Sequence, residues 1–524
     1  MSISTVISRF GKTLRNIPSN RPPWLWLLVG FLLLPFTAWQ TVIPLAAWLA
    51  PVFLLRFVRT SGKNALRLLF LAYVGGFLIA IGGMLGGNMQ LNIALLLLIP
   101  LFRGMMYTMP YRADRLIGSR LGAWERLFIF PLAYTAVEWV MSLLPPITAA
   151  GSLAYSQYDN LALMQIVSIT GMWGLTFLIA WFASTVNILW EHHFDWRPVR
   201  SMVGLFVGVM LAAFLFGSVR LSFATPSSQT VEAATITLDN AIYKEANDAI
   251  DWMTFYQSTD QERAAVRPKF QAAIDQMLTR TEIALRGGAK IVGWQEEAAL
   301  VLEEDKSSVL DRVSALAKQY DAYLQVSLAV FTRAEKLPYV RNQSILIDPA
   351  GKVVWTYDKT RPVVGEDFIN IAGTGQLPIA NTPYGRLSTA ICNDMNFPAL
   401  IRQAGQNGVD ILFTPYNDSS GFAATDAVTA DYRAIENGVS LVRATAGGIS
   451  TIADNEGRIV GSQDYFTDNS GIMMTTIPTH GVTTVYSRIG DIFAYLCVAG
   501  LLLLAALAYL RRKQPAAVSQ RQPA

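Results

Sequence analysis

Cysteine and histidine are scarce in this chain. Its 524 residues include two cysteines, Cys392 and Cys497, and three histidines, His192, His193 and His480. Cys497 lies inside the apolar run "IGDIFAYLCVAGLLLLAALAYL", so it is no disulfide partner for Cys392, which is left as a free thiol. With no His/Cys cluster outside the apolar runs, a metal site is not expected. The glycine spacing of a phosphate-binding loop is missing around "SGKNA". No cofactor is expected, and no internal repeat or low-complexity segment is evident.

Charge is scarce too. Charged residues make up 15% of the chain against 52% hydrophobic, and the mean hydropathy is +0.33, too apolar for an ordinary soluble enzyme. The net charge of +4 is small for this length and gives no support for a nucleic-acid partner. What is abundant instead is apolar runs, at residues 23–39, 41–57, 66–86, 88–106, 126–145, 161–189, 202–222 and 490–510. Most approach the ~20 residues that cross ~30 Å of hydrocarbon. About eight transmembrane helices are therefore expected, with seven or nine as alternatives.

Lysine and arginine orient them, because positive charge stays on the cytoplasmic side. Arg9, Lys12, Arg15 and Arg21 precede the first run; Arg56, Arg59, Lys63 and Arg67 follow the second; Arg112, Arg115 and Arg120 follow the fourth. Arg197 and Arg200 follow the sixth, and Arg511, Arg512 and Lys513 the last. The alternate loops "GGNMQ" and "PPITAAGSLAYSQYDN" hold neither Lys nor Arg. Both termini are thus expected inside, and the long segment before the last run outside. No A-x-A-like cleavage site follows the first run, which reads as a retained span. The expected division is a membrane domain with seven spans over 1–224, an external α/β domain over 225–487, a last transmembrane helix over 488–512 and a disordered tail over 513–524.

In the external segment short strands alternate with amphipathic helices. "ATITLDN" and "AKIVGWQE" read as buried strands, with the long helix "ERAAVRPKFQAAIDQMLTRTEIALRGG" between them. The helix "SSVLDRVSALAKQYD" and the strand "AYLQVSLAVF" follow, and "NQSILIDPAGKVVWTYDK" and "ISTIADNEGRIVGSQ" read as hairpins. Roughly 260 residues of this kind suffice for one α/β domain with its own core.

"RLSTAIC" reads as a strand that stops at Cys392, and "NDMNFPALIRQAG" then turns into a helix. A free cysteine often packs as a small hydrophobe. A thiol at a strand-to-helix elbow is exposed beside helix amides, which favour the thiolate. Such a nucleophile needs a base, and His480, next to the last span, is badly placed. A carboxylate or a lysine remains: "VGWQEEA" puts a Glu pair at one strand end and "WTYDKTRP" a lysine at another. Each feature alone is ordinary on a protein surface, but strand ends bearing Glu, Lys and Cys in one domain form a candidate site.

The order Glu, Lys, Cys in "IVGWQEEA", "VVWTYDKTRPVVGEDF" and "AICNDMNFPAL" resembles the nitrilase (carbon–nitrogen hydrolase) superfamily. "PLAYTAVEWV", "LAYSQYDNLALMQIVSITGMWGLTFLI" and "TVYSRIGDIFAYLCVAGLLLL" narrow the match, because they resemble parts of the apolipoprotein N-acyltransferases, the membrane branch of that superfamily. The resemblance covers most of residues 23–511. It implies an αββα sandwich carried by eight spans, with Glu296 as general base, Lys359 as oxyanion stabiliser and Cys392 as nucleophile. Glu366, Asn393, Asp394 and Trp294 take supporting or substrate-binding places. It also implies transfer of a fatty acyl chain from a phospholipid, through a thioester, to the N-terminal amine of a diacylglyceryl-cysteine lipoprotein, with no metal and a monomeric protein. Glu138, late in the fifth span, is a candidate polar contact near the site or an interhelical hydrogen bond.

The chain departs from that pattern in places. Asn393 and Asp394 stand where the acyltransferases usually have Tyr-Glu. Asn417 and Asp418 match, but Ser-Ser-Gly-Phe replaces the following Trp-Phe-Gly, and Ala446, Gly447 and Gly448 replace Asn-Asn/Thr-Gly. These changes point to a different choice of donor or acceptor. A membrane-tethered amidase and a non-catalytic lipoprotein-binding scaffold are the alternatives.

Overall fold

A computed structural model describes residues 22–82, 93–144, 148–223, 229–418, 420–468 and 470–513. The basic N-terminal segment through Arg21, the loop "GGNMQ" and the tail beyond Lys513 lie outside the described residues.

Each apolar run holds a helix: α1 (Trp24–Leu33), α2 (Pro44–Thr60), α3 (Ala65–Gly82), α4 (Ile93–Gly118), α5 (Ala123–Ser142), α6 (Trp173–Glu191) and α7 (Arg200–Phe223). Among the described residues, four helices are long and apolar enough to cross a membrane: Ala65–Gly82, Trp173–Glu191, Arg197–Phe223 and Ile492–Arg511. The count of about eight spans is therefore not reached on length and composition.

Two runs are shorter as helices than as sequence. Pro35 turns the first into a 3-10 segment, Leu34–Phe36. The long sixth run is broken: Asn160 caps a short helix through the Leu163 N–H, and Gly171 sits at φ +63 before α6 begins. A side chain at Gly171 would also overlap the Tyr486 ring. The pieces Leu161–Met164 and Val167–Thr170 thereby become a cap on the bundle rather than part of a span.

Glu138 lies inside the bundle, 2% exposed. It accepts hydrogen bonds from Ser152 Oγ (2.5 Å), Thr176 Oγ1 (2.6 Å), the Leu153 N–H (3.0 Å) and Tyr107 Oη (3.2 Å). The interhelical alternative is the one realised, since a carboxylate with four donors has no lone pair to spare for a ligand.

The strands that follow are rich in β-branched residues and mostly buried on both faces, as sheets covered by helices require. One sheet contains β1 (Thr230–Ile236), β2 (Ile291–Trp294), β3 (Ala299–Leu302), β4 (Tyr323–Phe331), β5 (Val340–Ile347) and β6 (Val353–Asp358). The second contains β7 (Ala380–Thr382), β8 (Gly385–Thr389), β9 (Ile411–Phe413), β11 (Ser440–Arg443), β13 (Ile449–Ala453) and β14 (Ile459–Asp464), while β10 (Tyr416–Asn417) pairs with β12 (Thr445–Ala446). The last strand, β15 (Ile472–Pro478), returns to the first sheet beside β1. Their orders are β15-β1-β2-β4-β5-β6, with β3 also on β4, and β14-β13-β11-β9-β8-β7. Both expected hairpins are present as the antiparallel pairs β5–β6 and β13–β14.

The sheets pack face to face through Ile291, Leu346, Leu387, Ile411 and Phe413. Each such buried side chain contributes about 1.5–3 kcal/mol of transfer free energy. Helices α8 (Asp260–Arg286) and α9 (Lys306–Tyr320) cover the first sheet through Ile274, Met277, Val309 and Val313. Helix α8 starts at a capping box: the Thr259 hydroxyl accepts from the Glu262 N–H and the Glu262 carboxylate from the Thr259 N–H. Helices α10 (Pro398–Gln406) and α11 (Ala423–Asn437) cover the second sheet through Leu400, Ile401, Ala430 and Ala434. The order is αββα, as expected. The chain then returns to the bundle as α12 (Ile492–Lys513).

The sandwich is fastened to one end of the bundle. Glu436 accepts the Met172 N–H (2.7 Å), Arg433 donates to Tyr155 Oη (2.6 Å), Tyr432 donates to the Ala154 carbonyl (2.5 Å) and Arg458 to the Leu221 carbonyl (2.7 Å). These bonds fix where the strand ends open relative to the helices.

Candidate active site

Strand direction gathers the predicted residues. Within the first sheet β1, β2 and β4 run parallel, and β6 shares their direction because two antiparallel steps separate it from β4. Glu296, just past β2, and Lys359, directly after β6, therefore emerge at the same edge. Cys392 follows β8, which runs parallel to β9 in the facing sheet. From the facing sheet the thiol feels the charges of the other two.

Cys392 opens a 3-10 turn, Cys392–Asn396, and has φ +46, a left-handed conformation that few non-glycine residues adopt. Its N–H donates to the Pro415 carbonyl at 3.0 Å. The turn is pinned by Asp394, which is fully buried. Its Oδ2 accepts from Tyr357 Oη (2.7 Å) and the Ile391 N–H (3.0 Å), and its Oδ1 from the Arg361 N–H (2.7 Å). Asn393 donates from Nδ2 to the Arg361 carbonyl at 3.0 Å. The two residues that depart from the acyltransferase pattern thus tie the cysteine turn to the segment after Lys359.

Lys359 Nζ lies 2.8 Å from Glu296 Oε1 and 2.7 Å from Glu366 Oε2. Asn342 Nδ2 donates to Glu296 Oε1 (2.8 Å) and to Glu297 Oε1 (3.0 Å). The Glu296 N–H donates to the Tyr416 carbonyl at 3.1 Å. Glu366 is thereby placed on the lysine. Trp294 is not at the site: it is fully buried, and its Nε1 donates to Thr281 Oγ1 of α8 at 2.8 Å. Its substrate-binding alternative is corrected to support by packing, because alternate strand residues face opposite sides.

The electrostatics also correct one expectation. The Cys392 thiol is held well above its ordinary range, first by burial and then by the Glu296 charge, with Lys359 opposing. Helix amides do not win, since the turn that follows is a single 3-10 turn and not an α-helix end. These surroundings disfavour the thiolate. Burial raises the Glu296 carboxyl too, against the pull of Lys359. Burial works against the Lys359 ammonium as well, but Glu296, Glu366 and the cysteine outweigh it and hold the lysine well above its usual value. Glu297, at φ +51, is pushed up to about 8 by burial and by the Glu296 charge.

One side chain that orders the site was not read from the sequence. Asn342 orders both glutamates, and its only signal is an amide within the buried strand "NQSILI". Asp418 is held by Arg443, which lies over the Tyr416 ring at 4.2 Å, and Asp418 and Asp426 hydrogen-bond to each other. Burial raises both carboxyls, and the Asp418 charge pushes Asp426 further up. Phe422, from the altered lid stretch, meets Trp39 edge to face at 6.2 Å. Ser419 lies outside the described residues.

The arrangement supplies a thiol, a buried carboxylate to take its proton and a fixed ammonium, which is the set that acyl transfer through a thioester requires.

Comparisons with known proteins follow the same division. A family model described as carbon-nitrogen hydrolase matches residues 256–486, and one described as apolipoprotein N-acyltransferase N-terminal domain matches residues 23–185. An apolipoprotein N-acyltransferase of Geobacter metallireducens is 30% identical over 416 residues, covering 74% of this chain and 75% of the relative. One of Bradyrhizobium diazoefficiens is 24% identical over 450 residues, covering 80% and 79%. Among solved structures, an amidase from Nesterenkonia sp. is 17% identical, with a TM-score of 0.38, and covers 51% of this chain and 95% of the amidase.

Proposed function

The chain belongs to the apolipoprotein N-acyltransferase family, and on that premise we propose that Cys392, Glu296 and Lys359 are the residues that carry its acyl transfer. In the first half-reaction Glu296 takes the thiol proton and the thiolate attacks an ester carbonyl of a phospholipid. Lys359 and the Asn393 N–H hold the oxyanion. The glycerol oxygen leaves with the proton from Glu296, and the acyl chain stays on the sulfur as a thioester. In the second, the α-amine of a diacylglyceryl-cysteine attacks the thioester. Glu296 takes a proton from the amine, an amide forms, and the cysteine leaves as thiolate and is reprotonated.

The observation that carries this reading is the 2.8 Å contact of Lys359 with Glu296 at the strand ends that converge on Cys392. Asn342 and Glu366 keep base and ammonium in place before substrate arrives. The amidase and scaffold alternatives are not favoured, since the relatives carry the N-acyltransferase name.

The setting we infer is eight spans, 1–224 and 488–512, around an external domain over 225–487, in a monomer with both termini cytoplasmic and the catalytic domain periplasmic. Supporting this, ion pairs bring the basic helix ends together away from the sandwich: Arg59 with Asp114 (2.7 Å) and Glu191 (3.4 Å), Arg126 with Glu191 (3.1 Å) and Arg511 with Glu125 (2.8 Å). Lipid substrates explain why the domain is tethered at both ends.

Intact mass spectrometry of the protein incubated with phospholipid tests the reading. One acyl mass on the wild type, absent from Cys392→Ala, is expected; no adduct, or one that survives that substitution, overturns it. In cells, lipoprotein N-termini should become triacylated only with the intact protein.

A further inference from the structure

The backbones of Cys392 and Glu296 hang from two consecutive residues, Pro415 and Tyr416. Strand β10 carries on from β9 beside the same neighbour: the Thr414, Tyr416 and Asp418 N–H groups donate to the Val442, Ala444 and Ala446 carbonyls at 2.9, 2.8 and 2.8 Å. Successive carbonyls of an extended chain point to opposite sides. The Pro415 carbonyl accepts the Cys392 N–H at 3.0 Å, and the Tyr416 carbonyl accepts the Glu296 N–H at 3.1 Å. Cys392 follows a strand of the second sheet and Glu296 a strand of the first. One pair of carbonyls thus registers the proposed nucleophile of one sheet against the proposed base of the other.

Arg443 grips that stretch. It ends β11, is fully buried, and lies with its guanidinium over the Tyr416 ring at 4.2 Å. Its Nη2 donates to Asp418 Oδ2, and its Nη1 donates to the Ile449 carbonyl, where β13 begins. One planar cation therefore holds the chain on both sides of Asn417, by stacking at residue 416 and by a charge-assisted bond at residue 418. It ties both to the second sheet. Strand β10 itself pairs with β12 over only two residues, so the ladder alone is a short anchor. Among the described residues no hydrogen bond or ion pair joins Arg443 to Cys392, Glu296 or Lys359. Its bonds and its ring contact reach the site through the residues around Tyr416.

We propose that Arg443 is the positioning residue that sets Cys392 in register with Glu296, acting through the carbonyls of Pro415 and Tyr416. Being fully buried, it touches no substrate. Loss of the guanidinium frees Tyr416 and Asp418 to shift, and the two anchoring carbonyls move with them. The Glu296 charge then acts less strongly on the thiol, since charge interactions weaken with distance. The proposal rests on the transferase reading for the roles of the two residues that it registers.

The test is a double-substitution cycle read at the thiol. Purified full-length protein is alkylated with iodoacetamide at one fixed pH below the thiol's midpoint, and peptide mass spectrometry follows Cys392 apart from Cys497. The Glu296 charge holds the Cys392 thiol up, so Glu296→Gln should speed alkylation. About tenfold is expected with Arg443 intact, and less than about threefold in Arg443→Met. Acyl transfer by Arg443→Met should lose about tenfold in kcat, with KM changed less than about twofold. A loss of stability alone leaves the Glu296→Gln ratio the same in both backgrounds. A Glu296→Gln effect that is absent with Arg443 intact or undiminished in Arg443→Met overturns the proposal, as does a loss that falls on KM rather than kcat. Should Arg443→Met not fold, Tyr416→Leu, which removes the ring beneath the guanidinium, and Arg443→Lys decide: an undiminished effect in both overturns it as well. Alkylation needs no substrate. A diminished effect beside absent acyl transfer by the wild type therefore sinks the transferase reading alone, while an undiminished one beside normal transfer sinks the positioning role alone.

Discussion

Lys359 and Glu296 are in contact inside the sandwich, Nζ to Oε1 at 2.8 Å, with side chains only 1% and 3% exposed. A buried ion pair of this kind is a weak source of stability, because desolvation offsets much of the attraction. It is a strong source of position. Removing either partner leaves the other charge buried and alters the charge that Cys392 feels.

Substitution of the proposed nucleophile gives the first prediction. Cys392→Ser should lower acyl transfer by on the order of 10³-fold or more, because the hydroxyl is a far poorer nucleophile with the same weak base. Transfer from labelled phospholipid measures it, and a rate near wild type would remove Cys392 from the mechanism.

Glu296→Gln should cost roughly 10²–10⁴-fold, and Lys359→Met about 10²–10³-fold. Their effects on the thiol differ in sign. The Glu296 charge holds the Cys392 thiol up and the Lys359 charge pulls it down. The midpoint of iodoacetamide alkylation against pH should therefore fall in Glu296→Gln and rise in Lys359→Met. Shifts in the same direction for both variants would contradict this charge arrangement.

Gly448→Ala tests the Arg443–Asp418 pair. A methyl group at Gly448 overlaps Asp418 Oδ2, the atom that Arg443 holds. The substitution should displace Asp418 and its partner Asp426 and lower transfer about tenfold or more, with a smaller loss of thermal stability. Parallel measurement of rate and Tm checks it; an unaltered rate would show that this pair does not bear on catalysis.

Acid should loosen the outer helix layer at Glu304. Hydrogen bonding to Arg263 holds the Glu304 carboxyl down at about 2 against burial, and Arg263 itself is 1% exposed. A depressed folded-state value means that the pair's contribution is complete above the ordinary carboxylate range and is lost as pH falls from there toward about 2. Glu304 is partly exposed, which screens the effect. Between neutral pH and pH about 3, the Tm of the wild type should fall more than that of Glu304→Gln. Equal slopes would refute the linkage.

The apolar runs were legible in the sequence because crossing a membrane demands a long uninterrupted stretch, and the αββα elements because strand and helix periods differ. The hairpins at Pro349-Ala350-Gly351 and Asn455-Glu456-Gly457 were legible for the same local reason, turn chemistry between two apolar runs. Pro35 and Gly171 shortened two expected spans, a local signal that the run lengths had masked.

By itself the sequence determined that a free thiol, a glutamate and a lysine end three strands of one domain tethered to a membrane bundle. Only the tertiary structure decided what those residues feel. Strand direction and the packing of one sheet on the other bring Glu296 against Lys359 and set Cys392 where it feels both charges, from positions far apart in the chain. Burial then raises the thiol, makes Asp394 a clamp and places Asn342 on Glu296. Charge and desolvation depend on distance in space, and no local pattern along the chain encodes that distance.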